Sequence, residues 1–171
     1  MKELFRKIEQ IRDLYSNDFD FYHTYRHEIA ENLCVEYPNI PIDIMEYYFV
    51  RHVNQGLETL RDLPNINAKE IRVSKIELSK KDLLDENLIQ NAPFTSYEPP
   101  FVFEDCRSEM YDYYKNEYFK NGSWEYPIIT IKVGNKLWVV DGTNRFRHML
   151  NCLVNKFDFI NDKHLIYVLN S

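Results

Sequence analysis

Hydrophobic residues recur along this chain with two different periods, and the change from one to the other divides it. From Lys2 to about Ser16, Leu4, Ile8, Ile11 and Tyr15 fall on one face at helical spacing. Asn17-Asp18-Phe19-Asp20 interrupts that pattern and supplies capping side chains for a second helix, about Phe21 to Tyr37, with Tyr22, Tyr25, Ile29 and Leu33 on its apolar side. Tyr37-Pro38-Asn39 ends it. Pro41 suits the first turn of a third helix running to about Arg61, with Met45, Tyr48, Phe49, His52 and Val53 as its buried face. Residues 1–65 therefore read as an N-terminal three-helix region.

Beyond residue 66 the period shortens to two. Ile71 and Val73, then Ile76 and Leu78, alternate with polar residues, and the phase change at Ser74-Lys75 predicts a bend between two short strand pieces. Ser79 to Leu84 starts a helical turn. An irregular Pro-rich loop is expected at about residues 90–104. Asp105 caps a tyrosine-rich helix reaching about Lys120 and ending at Asn121-Gly122. Pro127 then opens a strand in which Ile129, Ile131 and Val133 alternate with Ile128, Thr130 and Lys132. Gly134-Asn135 closes a hairpin, and Leu137 to Val140 is an apolar run suited to a strand covered on both faces. After Asp141-Gly142, a helix carries Phe146, Met149, Leu150 and Leu153 on one stripe. His164 to Leu169 reads as a final strand.

Composition narrows the classes of function. Hydrophobic residues make up 44% of 171 and aromatics 15%, ample for a packed core. A net charge of −6, from 27 acidic against 21 basic residues, argues against a broad DNA-coating surface while allowing a local basic pocket. The expectation is a cytoplasmic protein with no membrane partner: no run of apolar residues approaches a bilayer span, and the charged N-terminus lacks a signal-peptide core. Cys34, Cys106 and Cys152 form no CxxC pair and read as reduced thiols.

Most of the titratable residues have a plain structural reading. His23 and His27, with Glu28 and Glu31 close by, stand four apart on the second helix, a spacing able to share a metal. No third ligand is identifiable and no metal is expected. His52 reads as a core histidine. Tyr111, Tyr113, Tyr114 and Tyr118 offer rings for stacking on a base, but packing with hydroxyls at the rim is the simpler use.

The segment Asp141-Gly142-Thr143-Asn144-Arg145 differs, because a strand ending at a helix mouth turns several backbone N–H groups outward together, and such a place binds anions. A guanidinium in reach favours a dianionic group. One alternative is that the segment only makes a capped strand-to-helix turn, with Arg145 in a structural salt bridge.

The order IRVSKIELS, a helix ending in glycine, then PIITIKVGNKLWVVDGTNRFRHML resembles the ParB/sulfiredoxin-like superfamily over about residues 71–169. The resemblance implies an α+β fold: a small mixed sheet with helices, occupying residues 66–171 and preceded by the helical region. It implies a nucleotide- or phosphate-binding set of Gly142, Thr143, Asn144, Arg145 and Arg147. ATP, CTP or another nucleotide such as GTP, with Mg²⁺, is the implied cofactor class. Thr143 stands where sulfiredoxins carry the reactive cysteine, and a threonine cannot perform that chemistry. Thr143 and Asn144 also replace the glutamate and arginine of the ParB pattern.

Two functional readings follow. One is an enzyme — a phosphotransferase, NTPase or nuclease — with Asp141 and His148 as catalytic candidates and Glu77, Glu98, Glu104 and Asp105 as further carboxylates. The other is a catalytically silent binding module in DNA metabolism or a mobile element. Its N-terminal helices would recruit a protein partner or form a homodimer.

Overall fold

A computed structural model describes residues 2–14, 19–51, 67–91 and 108–170. Among the described residues the fold is mixed α and β, with six α-helices, two π-helical segments and a five-stranded mixed sheet. It divides into two compact units, residues 1–73 with 170–171, and residues 74–169.

The first unit is helical. Helix α1 spans Lys2–Leu14 and α2 spans Phe19–Glu36, close to the extents that the apolar spacing predicts. A short α3, Ile42–Ile44, opens after Pro41 and passes directly into a π-helical segment, Met45–Val50. The rest of the expected third helix, with His52 and Val53, lies outside the described residues. Leu4, Phe5 and Ile8 of α1, Ile29, Ala30 and Leu33 of α2, and Met45, Tyr48 and Phe49 are all buried. The Phe5 and Phe49 rings lie 5.9 Å apart. The wider π turn brings Glu46 inward, where Arg26 Nε meets its carboxylate at 3.3 Å and His27 Nδ1 at 2.7 Å. The Arg26 charge and the His27 hydrogen bond make burial of that carboxylate tolerable.

The second unit carries the sheet, in the order β1 (Arg72–Ser79), β5 (Lys163–Asn170), β3 (Ile128–Val133), β4 (Lys136–Asp141), β2 (Ile89–Asn91). Strand β1 is continuous over Arg72–Ser79, not two pieces with a bend. The phase change at Ser74-Lys75 lies next to the point where the two units divide, between Val73 and Ser74. Ser79 then closes a capping box with Asp82 at the start of α4, Lys80–Leu83: the Asp82 N–H donates to Ser79 Oγ at 3.2 Å and the Ser79 N–H to the Asp82 carboxylate at 2.9 Å. Strand β2, Ile89–Asn91, pairs in parallel with β4, placing Ile89 opposite Leu137. The sequence reading begins an irregular loop there. Most of that loop, with Glu98, Glu104, Asp105 and Cys106, lies outside the described residues.

Helix α5, Ser108–Tyr113, continues into a second π-helical segment, Tyr114–Tyr118, closed by the Phe119 N–H bonding back to the Tyr114 carbonyl. Strands β3 (Ile128–Val133) and β4 (Lys136–Asp141) form the expected hairpin around Gly134-Asn135. β3 also lies parallel to β5, Lys163–Asn170. The alternation expected in β3 is overruled: Ile128 through Ile131 are all buried, because the strand sits at the centre of the sheet with both faces covered. Helix α6, Thr143–Val154, packs Phe146, Met149, Cys152 and Leu153 into a core with Ile128, Val139, Ile166, Tyr114 and Phe119.

Candidate functional site

The strand-to-helix turn is built by an irregularity in the hairpin. Thr130 pairs with Val139 and Ile129 with Asp141, so Val140 is an extra residue on β4. A bulge of this kind re-aims the residues that follow it. Directly afterward Gly142 adopts φ +78°, ψ 25° and serves as the N-cap of α6. The helix begins with the Phe146 N–H donating to the Gly142 carbonyl at 2.8 Å. The N–H groups of Thr143, Asn144 and Arg145 precede that first bond and have no acceptor within the helix. Gly142 brings no side chain to cap them, and no side-chain cap bond is formed.

Arg145 folds back over the turn. Its Nη2 donates to Asp141 Oδ2 at 3.1 Å, and both side chains are about four-fifths buried, with relative exposures of 22% and 18%. A Cβ on Gly142 would lie 2.7 Å from Arg145 Nη2 and 2.9 Å from Nε, so the guanidinium rests on the glycine itself. The Nε atoms of Arg145 and of Arg147 are both buried without a hydrogen-bond partner. Arg147 lies one turn along the same stripe as Thr143. Arg145 leaves the helix about 200° around its axis from Thr143. Of the two cationic side chains, Arg145 lies against the Gly142 turn, and the Arg147 charge is felt at His148. Thr143 is half-buried and Asn144 exposed.

His148 is held away from solvent by tyrosines. Its Nδ1 lies 2.8 Å from the hydroxyl of buried Tyr114, and the Tyr118 ring meets its own edge-on at 4.9 Å. Burial, reinforced by the neighbouring Arg147 charge, lowers the His148 pKa below its ordinary 6.5. Burial raises the Tyr118 pKa, and the Arg145 charge opposes that rise, which ties the tyrosine shelf electrostatically to the turn. The sequence marks the four tyrosines but offers no sign of this pairing, which depends on the π-helical register of residues 114–118. Among the four, Tyr114 is 1% exposed and Tyr113 46% exposed, so one lies in the core and one at its rim.

His164 is more deeply buried than His148, 1% exposed, with Nδ1 2.8 Å from Ser123 Oγ; burial lowers its pKa also. An unfolded histidine takes up its proton as pH falls through about 6.5, whereas these two resist it. The folded state must therefore lose stability as pH drops below that value. His27 acts in the opposite sense. Its hydrogen bond to Glu46 raises its pKa, so its contribution is complete below 6.5 and fades as pH rises through the raised value. Urea unfolding is expected to be easier at about pH 5.5 than at about pH 7, and His148→Gln should flatten that dependence.

The helical unit holds the other histidine pair that the sequence singles out. His27 is engaged by Glu46, and its Nε2 lies 3.5 Å from Glu31. The His23 side chain lies outside the described residues. No group of three or more His, Cys, Asp or Glu able to hold a metal is found among the described residues. None of their helices is long and apolar enough to cross a membrane. No protein-family model, curated protein or solved structure matches the chain.

Proposed function

We propose that the chain binds a nucleotide or other phosphoester at the Asp141–Arg145 turn, through a ParB/sulfiredoxin-like second unit. The observation that carries this reading is the concentration of unsatisfied donors at one helix mouth. Three backbone N–H groups precede the first helical bond, and the Arg145 guanidinium lies over the same turn with its Nε buried and without an acceptor; Arg147, one helical turn on, has a buried Nε likewise without one. A phosphate offers several acceptor oxygens and a charge that suits both the helix dipole and the guanidinium groups. Gly142, Thr143, Asn144, Arg145 and Arg147 form the binding set. Arg145 does pair with Asp141, as a purely structural turn would require. That pairing uses one of its nitrogens and leaves Nε without an acceptor.

Binding without chemistry is the better-supported form of the proposal. The carboxylate at the turn is engaged by Arg145, and His148 is engaged by Tyr114. Neither stands ready to act on a bound phosphate, so the account favours a binding module over a phosphotransferase, NTPase or nuclease.

Thermal melts with ATP, CTP and GTP, with and without Mg²⁺, test the proposal. A ligand at about a hundred times its Kd should add about 2.7 kcal/mol of stability, and Arg145→Ala should abolish that increment. No shift with any of the three in the wild-type protein would remove the proposal. Release of phosphate or diphosphate during the same incubations would replace the silent module by the enzyme.

A further inference from the structure

We infer that Asp141 is a resident anion, one that competes with the ligand for Arg145 and so restrains phosphate binding instead of assisting it. This inference rests on the phosphate-binding reading of the turn. Asp141 holds Arg145 at 3.1 Å, and the guanidinium that it holds lies directly over the Gly142 turn at the helix mouth. An anion seated on the three N–H groups meets Arg145 with a carboxylate already bound to it. The ligand must either displace that carboxylate from Arg145, at the cost of a largely buried ion pair, or settle beside it against like-charge repulsion. In both cases Asp141 lowers the positive potential that the ligand experiences.

This role differs from catalysis and from simple support of the fold in one measurable respect. A change of potential acts on a ligand in proportion to its charge. A structural change at the turn acts on all ligands alike. Asp141→Asn keeps the shape of the side chain and removes its charge. Adenosine 5′-monophosphate is close to dianionic above its second pKa of about 6. Its 3′,5′-cyclic ester has the same base and sugar but is a monoanion.

Affinities of the wild-type chain and of Asp141→Asn for both ligands, by calorimetry at about pH 7.5 without Mg²⁺, decide the matter. Asp141→Asn should tighten the monophosphate about tenfold and the cyclic ester by roughly the square root of that factor, about threefold. Asp141→Ser should reproduce the ordering, which guards against a folding defect peculiar to the amide. Weaker binding by both variants, or equal factors for the two ligands, would overturn the inference while leaving the phosphate site intact. Failure of the wild-type chain and both variants to bind either ligand would remove the phosphate reading itself, and this inference with it.

Discussion

Replacing Gly142 by alanine should cost about 2–5 kcal/mol of stability and remove any response to phosphate ligands. Two effects add. At φ +78° an L residue bears about 1–2 kcal/mol of backbone strain. The new Cβ would also sit 2.8 Å from Ile128 Cγ2, in the fully buried centre of the sheet, and closer still to the Arg145 guanidinium. Crowding of this kind adds roughly 1–3 kcal/mol. Gly134, in the hairpin turn, supplies the control. Its φ is +61°, but a Cβ there meets nothing within 4 Å, so Gly134→Ala carries the strain alone. Urea denaturation of the two variants separates the terms. Equal losses for Gly142→Ala and Gly134→Ala would mean that Arg145 and Ile128 do not press on the turn as described.

Phe146→Ala should be the most damaging substitution within α6, by about 3–5 kcal/mol. Phe146 is 2% exposed and shares a core with Tyr114, Ile128, Val139 and Met149. It also provides the first N–H of the helix that bonds back to Gly142, so packing and helix start meet at this residue. For a chain of this size the loss corresponds to a fall in melting temperature of roughly 10 °C. A fall of only a degree or two would show that α6 is not anchored through Phe146.

Legibility of the fold followed the reach of the interactions that create each element. The hairpin, its Gly134-Asn135 turn and α6 were all visible, because turn chemistry and a stripe at Phe146, Met149, Leu150 and Leu153 are local properties. Strand β2 was not. Ile89–Asn91 is too short to display a period, and it is a strand because the edge of β4 offers it bonds. The π-helical segments at Met45–Val50 and Tyr114–Tyr118 were equally hidden, since an i to i+5 bond carries no residue signature. Burial of both faces of β3 follows from its central place in the sheet order.

The site divides along the same line. Gly142 and Arg145 stood out as a turn and a cation near a helix start, and they lie together. The extra residue Val140, which re-aims Asp141, appears only when β3 and β4 are paired. The tyrosines were plain in the sequence, but the contact of Tyr114 and Tyr118 with His148 joins residues thirty or more positions apart. Such contacts are set by packing and leave no trace in spacing.

The central claim is that the helix mouth after Gly142 receives a phosphate. Nitrogen–proton correlation spectra recorded during a titration with ATP address it most directly, because they report on each backbone N–H separately. The account predicts saturable shifts concentrated at Thr143, Asn144 and Arg145, absent in Arg145→Ala. Shifts that are spread over the surface and never saturate, or that saturate elsewhere while these three amides stay still, would contradict it.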